Sequence, residues 1–321
     1  MSPRAKTARL ARRALTVVVA VVGAASVLGL LDRLFWPFEL AGVFRPQYVV
    51  VLAGAALAAA GLRRLRLAGV AAALAVLNAV VVGLPFTAPA TAAAPHGSAP
   101  SLRLLIANLE VGNTRYRAIE RVIDQTRPDV VGVIELSPGM AAHLRRSLPG
   151  YRARVLAPRQ DAYGIGVFSR IPLADARIDH FPAEGGPPTA VVHTRAAGTP
   201  LTLVVTHAHT PFAGSIHVRQ LQALAAARPR LGGRLAICGD FNTPPWSGPF
   251  RRLAGDARLR DLYGGSAWSG YSWPTWAPPL RVPLDNCLVG SGLGVTAHRH
   301  TAGVGSDHYP LLVDLAVVAP R

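Results

Sequence analysis

Polar and charged side chains follow several apolar segments in the C-terminal two thirds of the sequence. The first of them are Asn108 and Glu110 in LLIANLE, Glu135 in PDVVGVIEL, and Asp240 and Asn242 in LAICGDFN. Scaffolds of strands present binding and catalytic side chains on the loops that follow the strands. We therefore expect these residues to converge on one site at an edge of the folded domain.

The same pattern continues towards the C-terminus, where it adds histidines to the carboxylates. His207 follows TLVVT, Asp285 lies within VPLDNCLV, and Asp307 and His308 form SDH before the last apolar run. Mg²⁺ binds oxygen ligands and usually takes one or two carboxylates from the protein, with water completing the shell. A set of carboxylates, amides and histidines without cysteine favours metal-assisted phosphoryl chemistry over structural zinc. Singly, each residue is equally consistent with turn chemistry or a buried histidine.

Taken in order, these motifs resemble a known superfamily. They are Asn108, Glu135, Tyr163-Gly164, Ser169-Arg170, Thr206-His207, Gly239-Asp240-Phe241-Asn242, Asp285 and Ser306-Asp307-His308. The set is similar to the endonuclease/exonuclease/phosphatase superfamily, which includes DNase I, exonuclease III, neutral sphingomyelinases and inositol polyphosphate phosphatases. The resemblance covers residues 101–321 and implies an α+β fold, the DNase I-like four-layer α/β/β/α sandwich.

The resemblance also implies how a divalent cation would be held. Glu135 would be the principal Mg²⁺ ligand, Asp307 would lie near the same ion, and Glu110 with Asn108 would complete the metal and phosphate surroundings. Mn²⁺ could replace Mg²⁺ among the same oxygen ligands.

Catalytic roles follow from the same resemblance. Asp240 would align or deprotonate the attacking water, and Asn242 would hold a phosphate oxygen. His308, oriented by Asp285, would stabilise the charge that develops on phosphorus, and His207 would contact the same phosphate. Such a site combines in-line attack with charge stabilisation by preorganised donors.

Hydrophobic patterning supports a scaffold of alternating strands and helices. Two amphipathic helices are predicted over Tyr116–Gln125 and Ile216–Ala227. Strands are predicted where Val, Ile and Leu dominate, at Leu102–Leu109, Val130–Leu136, Gly164–Ser169, Ala190–Thr194, Leu201–Thr206, Arg234–Cys238, Leu284–Val289 and Leu311–Val317.

The N-terminal residues 1–86 have a different character and predict a membrane anchor. Three stretches without charged residues, about 14–31, 46–62 and 67–86, approach the ~20 residues that a helix needs to cross a membrane. Three transmembrane helices are therefore expected before the sandwich. This arrangement resembles a membrane-anchored bacterial branch of the superfamily.

Charge placement predicts the orientation of this anchor. Basic residues precede the first stretch, and Arg63, Arg64 and Arg66 separate the second from the third. The positive-inside rule places both basic segments in the cytoplasm. With three crossings, the catalytic domain, residues 101–321, would lie outside the cytoplasm, after an Ala/Pro-rich linker at residues 87–100.

Composition limits the classes of function. From Ser101 onward the chain has 24 basic residues, all arginine, against 15 acidic ones, which suits a polyanionic substrate. The two cysteines, Cys238 and Cys287, exclude a disulfide-rich scaffold, and they could form one disulfide or remain buried thiols.

Three hypotheses remain on the sequence alone. The first is a membrane-embedded, Mg²⁺-dependent phosphoesterase that cleaves nucleic acid. The second is a hydrolase of phospholipid headgroups or inositol phosphates, to which a membrane anchor would bring the site close. The third, of another class, is a catalytically silent domain that binds a phosphate-rich ligand or a protein.

Overall fold

The chain forms two compact units. The computed structural model describes residues 3–87, 93–94, 97–263 and 270–319. One unit groups residues 1–85 with 246–248, and the other groups residues 86–245 with 249–321. Each unit has apolar clusters of its own.

Helices build the first unit, and each predicted apolar stretch overlaps one of them, although residues 29–31 and 62 lie beyond the helix ends. The helices are α1 (Pro3–Leu28), α2 (Pro37–Gly42), α3 (Arg45–Gly61) and α4 (Leu65–Thr87). Among the described residues, two segments are long and apolar enough to cross a membrane, Arg9–Leu28 in α1 and Leu65–Gly83 in α4. The prediction of three transmembrane helices is thus corrected to two candidate spans. Helix α3 has 17 residues, and at 1.5 Å per residue it covers about 25 Å, less than the ~30 Å of a bilayer core.

Small side chains and one polar network hold these helices together. Ala55 and Ala71 are buried where α3 and α4 pack with α1. Arg45 Nη1 donates to Asn78 Oδ1 at 2.9 Å, and Asn78 Nδ2 donates to Ser26 Oγ at 2.7 Å. Hydrogen bonds between helices add to the packing of small side chains at such contacts.

Strands dominate the second unit. They are β1 (Leu102–Asn108), β2 (Val130–Ile134), β3 (Ala153–Ala157), β4 (Ile165–Ser169), β5 (Leu173–His180), β6 (Pro188–Ala196), β7 (Thr199–His207), β8 (Leu235–Asp240), β9 (Arg260–Asp261), β10 (Asp285–Val289), β11 (Leu293–His300) and β12 (Leu311–Val317). In the described part of the chain they form two six-stranded sheets, in the orders β11-β12-β1-β2-β4-β3 and β5-β6-β7-β8-β10-β9.

The two sheets pack face to face with helices on their outer faces. Inward side chains such as Ile106 from β1 and Val205 from β7 share one buried cluster. Helices α5 (Tyr116–Thr126) and α6 (Pro138–Ser147) cover the first sheet, while α7 (Ser215–Ala226), α8 (Arg228–Leu231) and α9 (Gly248–Asp256) cover the second. The expected α/β/β/α sandwich is therefore confirmed.

The linker predicted at residues 87–100 is described only in part. Helix α4 continues to Thr87, and Ala93 forms an isolated parallel bridge with Val295 in β11. The backbone N–H of Ala94 donates to the carbonyl of Val295 at 2.8 Å. This short piece pairs with the edge of the first sheet instead of running free, and residues 88–92 and 95–96 lie outside the described residues.

Strand direction brings the predicted site residues to the same edge of the sandwich. Strands β1 and β2 are parallel, and so are β7 and β8, which places His207 directly opposite Asp240. Strand β10 runs antiparallel to β8 and begins at Asp285, opposite the same aspartate. The ends of the central strands from both sheets therefore meet at one place.

Candidate active site

Asn108 at the end of β1 joins the two sheets through its side-chain amide. Its Nδ2 donates to Glu135 Oε1 at 3.0 Å and to Asp240 Oδ2 at 3.1 Å, so one residue of the first sheet touches a carboxylate from each side. Its Oδ1 accepts from the backbone N–H of Glu110 at 3.0 Å. All of the hydrogen-bonding groups of this amide are directed to residues that the sequence predicted for the site.

Three of the predicted residues have left-handed backbone conformations that side chains other than glycine seldom adopt. Their φ angles are 58° at Glu110, 56° at Glu135 and 53° at Asn242. Such conformations cost on the order of 1–3 kcal/mol each and cluster at functional sites, where the surrounding structure enforces them. Here each one follows a strand and turns its side chain back to the sheet ends.

Asp240 is the buried centre of the site, with only 1% of its surface exposed. Its Oδ2 lies 3.6 Å from His308 Nε2 and 3.7 Å from His207 Nε2, and its Oδ1 accepts from the backbone N–H of Asn242 at 2.8 Å. Burial raises the pKa of Asp240 above its usual range, although His308 and His207 act in the opposite direction. A carboxylate with a raised pKa is a better acceptor of protons.

His308 and Asp285 form a buried dyad. His308 Nδ1 lies 2.7 Å from Asp285 Oδ2. Burial opposes protonation of the imidazole, but the charges of Asp285 and Asp240 outweigh it and raise the pKa of His308 to about 10. Burial also opposes ionisation of Asp285, yet His308 lowers the pKa of that carboxyl below its usual range. The dyad is consequently an imidazolium and a carboxylate at neutral pH, with the Nε2–H directed towards Asp240.

His207 is oriented by a backbone carbonyl and an amide instead of a carboxylate. Its Nδ1 lies 2.9 Å from the carbonyl of Ala162, and its Nε2 lies 3.1 Å from Asn242 Nδ2. Because the Ala162 oxygen only accepts, Nδ1 carries the proton in the neutral ring and Nε2 accepts from the amide. Asn242 Nδ2 also donates to the carbonyl of Ala208 at 2.8 Å. Asp161, the nearest acid in sequence to this carbonyl, is paired instead with Arg159 at 2.6 Å.

The predicted metal residues form a carboxylate-rich rim beside Asp240. Glu135 Oε2 accepts from the backbone N–H of Val111 at 3.1 Å, and Glu110 Oε2 accepts from that of Asp307 at 3.2 Å. Asp307 Oδ1 lies 3.9 Å from His308 Nε2, and its side chain remains 37% exposed. Among the described residues no arginine pairs with Glu110, Glu135 or Asp307. The His308 imidazolium offsets part of the charge of Asp307, and the negative charge that remains on these oxygen donors fits a hard divalent cation.

A second group of side chains also has possible metal-ligand atoms close together. Asp240, Asp285 and His308 have ligand atoms within 4.8 Å of one another. Their hydrogen bond and opposite charges already explain this proximity, and His308 Nδ1 is engaged by Asp285. We therefore place a cation at the Glu135 side of Asp240, where Glu110 and Glu135 lack a cationic partner among the described residues, and this placement remains a prediction.

Sequence reasoning did not assign the residues that hold these side chains in place. Trp273 Nε1 donates to Asp307 Oδ2 at 2.8 Å, and Ser272 Oγ accepts from the backbone N–H of Asp285 at 3.2 Å. Tyr163 Oη lies 2.5 Å from His209 Nδ1 beside His207. The aromatic segment around Trp273 was a visible signal, but its partner lies 34 residues away.

Cys238 and Cys287 face each other across β8 and β10 and are joined as a disulfide. Each lies two residues from Asp240 or Asp285 on the same strand, on the buried side between the sheets. Of the two arrangements that the sequence left open, this structure contains the bonded one.

Comparisons with known proteins agree with this fold. A model of the Endonuclease/Exonuclease/phosphatase family matches residues 105–308, more than half of the chain. No curated protein is a significant sequence match.

Solved structures with the same architecture cover the C-terminal unit. D. rerio TDP2 complexed with single-strand DNA product is 17% identical, with a TM-score of 0.57 over 67% of this chain and 99% of that chain. The human Nocturnin catalytic domain with bound sulfate is also 17% identical, with a TM-score of 0.56 over 69% and 96%. An endonuclease/exonuclease/phosphatase family protein from Bacteroides thetaiotaomicron is 14% identical, with a TM-score of 0.57 over 69% and 97%. At these identities the similarity establishes the fold alone.

Proposed function

Because the chain belongs to the endonuclease/exonuclease/phosphatase family and is a metal-dependent phosphoesterase, we propose that it hydrolyses phosphodiester bonds of nucleic acid with Mg²⁺. The observation that carries this proposal is the buried Asp240 carboxylate. It lies 3.1 Å from Asn108 Nδ2 and 3.6 Å from His308 Nε2, which are both donors, and 3.7 Å from His207 Nε2, so residues from both sheets surround it. A buried carboxylate among preorganised donors suits water activation next to a phosphoryl group.

Glu135, Glu110 and Asp307 would hold the cation in this proposal. When bound, Mg²⁺ would neutralise charge on the phosphoryl oxygens and help to orient the diester. The protein contributes the position of these carboxylates, since the backbone N–H groups of Val111 and Asp307 fix Glu135 and Glu110. Mn²⁺ would be accepted by the same oxygen donors.

The proposed reaction is direct attack of water on phosphorus. Asp240 accepts a proton from the water as the new P–O bond forms, the P–O bond to the leaving oxygen breaks, and the alkoxide that departs takes up a proton from solvent water. The His308 imidazolium, held by Asp285 at 2.7 Å, donates from Nε2 towards the charge that develops on the phosphoryl oxygens. His207 and Asn242 would contact the same phosphate, as the resemblance implies.

Charge and one relative support nucleic acid as the substrate. The C-terminal part of the chain has an excess of nine arginines over acidic residues, 24 against 15. Backbone phosphates supply most of the affinity of proteins for nucleic acid, so this excess favours such a partner. The similar TDP2 structure contains a single-strand DNA product.

The test is hydrolysis by the full-length protein in detergent with Mg²⁺. Single-stranded and duplex DNA, RNA, sphingomyelin and inositol phosphates are compared at equal concentrations. We expect cleavage of DNA or RNA with the highest kcat/KM. Preferential release of a lipid headgroup would contradict the nucleic-acid assignment and support the phospholipid alternative, which the two candidate spans and the 74% exposed Trp276 favour. Binding without turnover of any substrate would support a silent domain.

The dyad of His308 and Asp285 predicts non-additive losses. His308→Ala and Asp285→Asn are each expected to lower kcat by about 10²-fold, the scale for losing one transition-state donor. Combining them should add little, because residues that act as one unit are non-additive. The measurement is kcat for the four proteins of the cycle on one oligonucleotide, with thermal unfolding as the control for folding. Losses that multiply would show that Asp285 acts independently of His308.

We also propose that helices α1 and α4 anchor the chain in a membrane. Basic residues such as Arg12 and Arg13 lie at the start of the α1 span, and the positive-inside rule places them in the cytoplasm. Arg63 and Arg64 precede α4, and they would also lie in the cytoplasm only if the chain crossed once more between the two helices. Two crossings would return the catalytic unit to the cytoplasm, whereas an odd number would place it outside. A reporter fused to the C-terminus that is active only after export would support the outside placement expected from the sequence, and activity of a reporter that works only in the cytoplasm would contradict it.

A further inference from the structure

A pocket of about 530 Å³ lies beside the candidate active site and has no role in the reaction described above. It is formed by the loop before α5, the first turns of α5, one side chain of α6 and two glycines before the SDH motif. The residues are Thr114, Arg115, Tyr116, Arg117, Ala118, Arg121, His143, Gly303 and Gly305. Its wall therefore combines arginines with positions that carry no side chain.

The charge of this pocket is positive and uncompensated. Arg115, Arg117 and Arg121 are exposed, and none of them forms an ion pair among the described residues. The nearest acid on the same helix, Glu120, is engaged by His143, with Oε1 2.7 Å from Nε2. Three arginines around one cavity, without a carboxylate partner among the described residues, create a positive potential there. This potential favours an anionic ligand.

The pocket is connected to the reaction site through short, fixed segments. A Cβ atom on Gly305 would lie only 2.7 Å from Arg115 Cδ, so the loop before Asp307 packs directly against this arginine. Asn113 Nδ2 donates to the carbonyl of Val304 at 3.1 Å, which ties the two loops together. Asp307 lies two residues after Gly305, a reach of about 7 Å at most along the chain.

We propose that this pocket binds a backbone phosphate of the substrate strand, one or two nucleotides from the phosphodiester that is cleaved. The inference rests on the proposed function and defines its substrate class as a polyphosphodiester chain. The rise of about 3.4 Å per nucleotide is measured along the duplex axis, and successive phosphates lie about twice as far apart, so a reach of about 7 Å, extended by an arginine side chain, corresponds to one or two nucleotides. Arginine forks match phosphate oxygens with two donors each and retain their charge at all physiological pH values.

The absence of a side chain at Gly305 fits the same role. Gly305 has a φ of 92° and its position opposite Arg115 leaves no room for a Cβ atom, so a side chain there would displace this arginine from the pocket. A lipid with a single phosphate would place that group at the active site and leave the arginines without a ligand. A nucleic acid strand supplies further phosphates at regular intervals, and for this reason we favour it.

Binding of an uncleavable oligonucleotide tests the inference separately from catalysis. The probe is a fluorescein-labelled, phosphorothioate-linked single-stranded DNA of about 16 nucleotides, within the range of single-strand site sizes. The full-length protein in detergent with Mg²⁺ is compared with the Arg115→Ala/Arg117→Ala/Arg121→Ala variant by fluorescence anisotropy over a range of salt concentrations. Arg195→Ala is the matched control, because Arg195 lies near the turn between β6 and β7, at the opposite end of β7 from His207.

We expect the triple variant to raise Kd by about tenfold or more, and to reduce the slope of log Kd against log salt by about 0.7 for each arginine that contacts a phosphate. Arg195→Ala should change the Kd little. Equal Kd values and slopes for the triple variant and wild type would overturn the inference even if the protein cleaves DNA. If the triple variant binds the oligonucleotide more weakly as expected, but the wild-type protein cleaves no nucleic acid, only the proposed function would be overturned. If the triple variant binds vesicles that contain phosphoinositides more weakly than wild type but binds DNA equally well, the pocket would be assigned to a lipid and the inference would also be overturned.

Discussion

Removal of divalent cations is expected to abolish phosphodiester hydrolysis by the full-length protein, and added Mg²⁺ or Mn²⁺ is expected to restore it. The reason is the rim formed by Glu110, Glu135 and Asp307, whose negative charge no arginine compensates among the described residues. Without a cation these carboxylates would repel the phosphate. The measurement is the initial rate on one oligonucleotide in excess EDTA and after titration with each metal.

Substitution of one predicted ligand should raise the Mg²⁺ concentration that the reaction requires without unfolding the protein. Glu135→Gln keeps the size of the side chain and removes its charge, so the Mg²⁺ concentration for half-maximal rate should rise by roughly tenfold or more, the scale of disturbed metal sites. Glu184→Gln makes the same chemical change at an exposed position and serves as the control. Full activity in EDTA would contradict the metal assignment.

Asp240→Asn is expected to lower kcat by roughly 10³-fold, within the range for loss of a general base. The amide keeps the shape of the carboxylate and can still accept from the backbone N–H of Asn242, but it cannot take a proton from water. KM should change far less than kcat, because the interaction is made in the transition state. Steady-state kinetics on one oligonucleotide measure both constants.

The control for this variant is Asp256→Asn, which changes an exposed aspartate at the end of α9. Thermal unfolding of both variants separates loss of chemistry from loss of fold. If Asp240→Asn keeps its fold and its kcat is within a few fold of wild type, Asp240 does not act as the general base.

The central strands of both sheets were predictable from the sequence, whereas the edge strands were not. Strands such as β1 and β7 are buried on both faces, and such strands have nearly continuous runs of Val, Ile and Leu. The strands that were missed are β3, β5, β9 and β11, which occupy the four edges of the two sheets. At β5, for example, exposed and half-buried residues intermix, so its sequence has no apolar run.

The sequence predicted which residues converge and that Asp285 contacts His308, but it did not predict the other contacts of the candidate site. Asp240, Asp285 and His308 were expected from their motifs, and the structure brings them within 4.8 Å of one another. The donors that orient them come from distant segments, as Trp273 does for Asp307 across 34 residues. Pairing over such distances depends on how loops fold back onto the sheet edge, which local patterning does not encode.

The number of candidate spans was overestimated for a physical reason. Absence of charge over residues 46–62 predicted a third crossing, but helix α3 ends at Gly61 after 17 residues. Apolar composition indicates that a helix can contact lipid or pack against its neighbours, and 17 residues lie at the lower end of the length that crosses a bilayer. Arg63 and Arg64 precede α4, and the side on which they lie depends on whether the chain crosses between α1 and α4.

The most direct test of the account is single-turnover cleavage of a labelled oligonucleotide by excess enzyme with saturating Mg²⁺. Under these conditions the observed rate reports the chemical step, free of product release and of differences in binding. We predict that wild type converts the bound oligonucleotide in one phase and that Asp240→Asn does so roughly 10³-fold more slowly with the same products. Equal single-turnover rates for the two proteins would contradict the claim that Asp240 activates the attacking water.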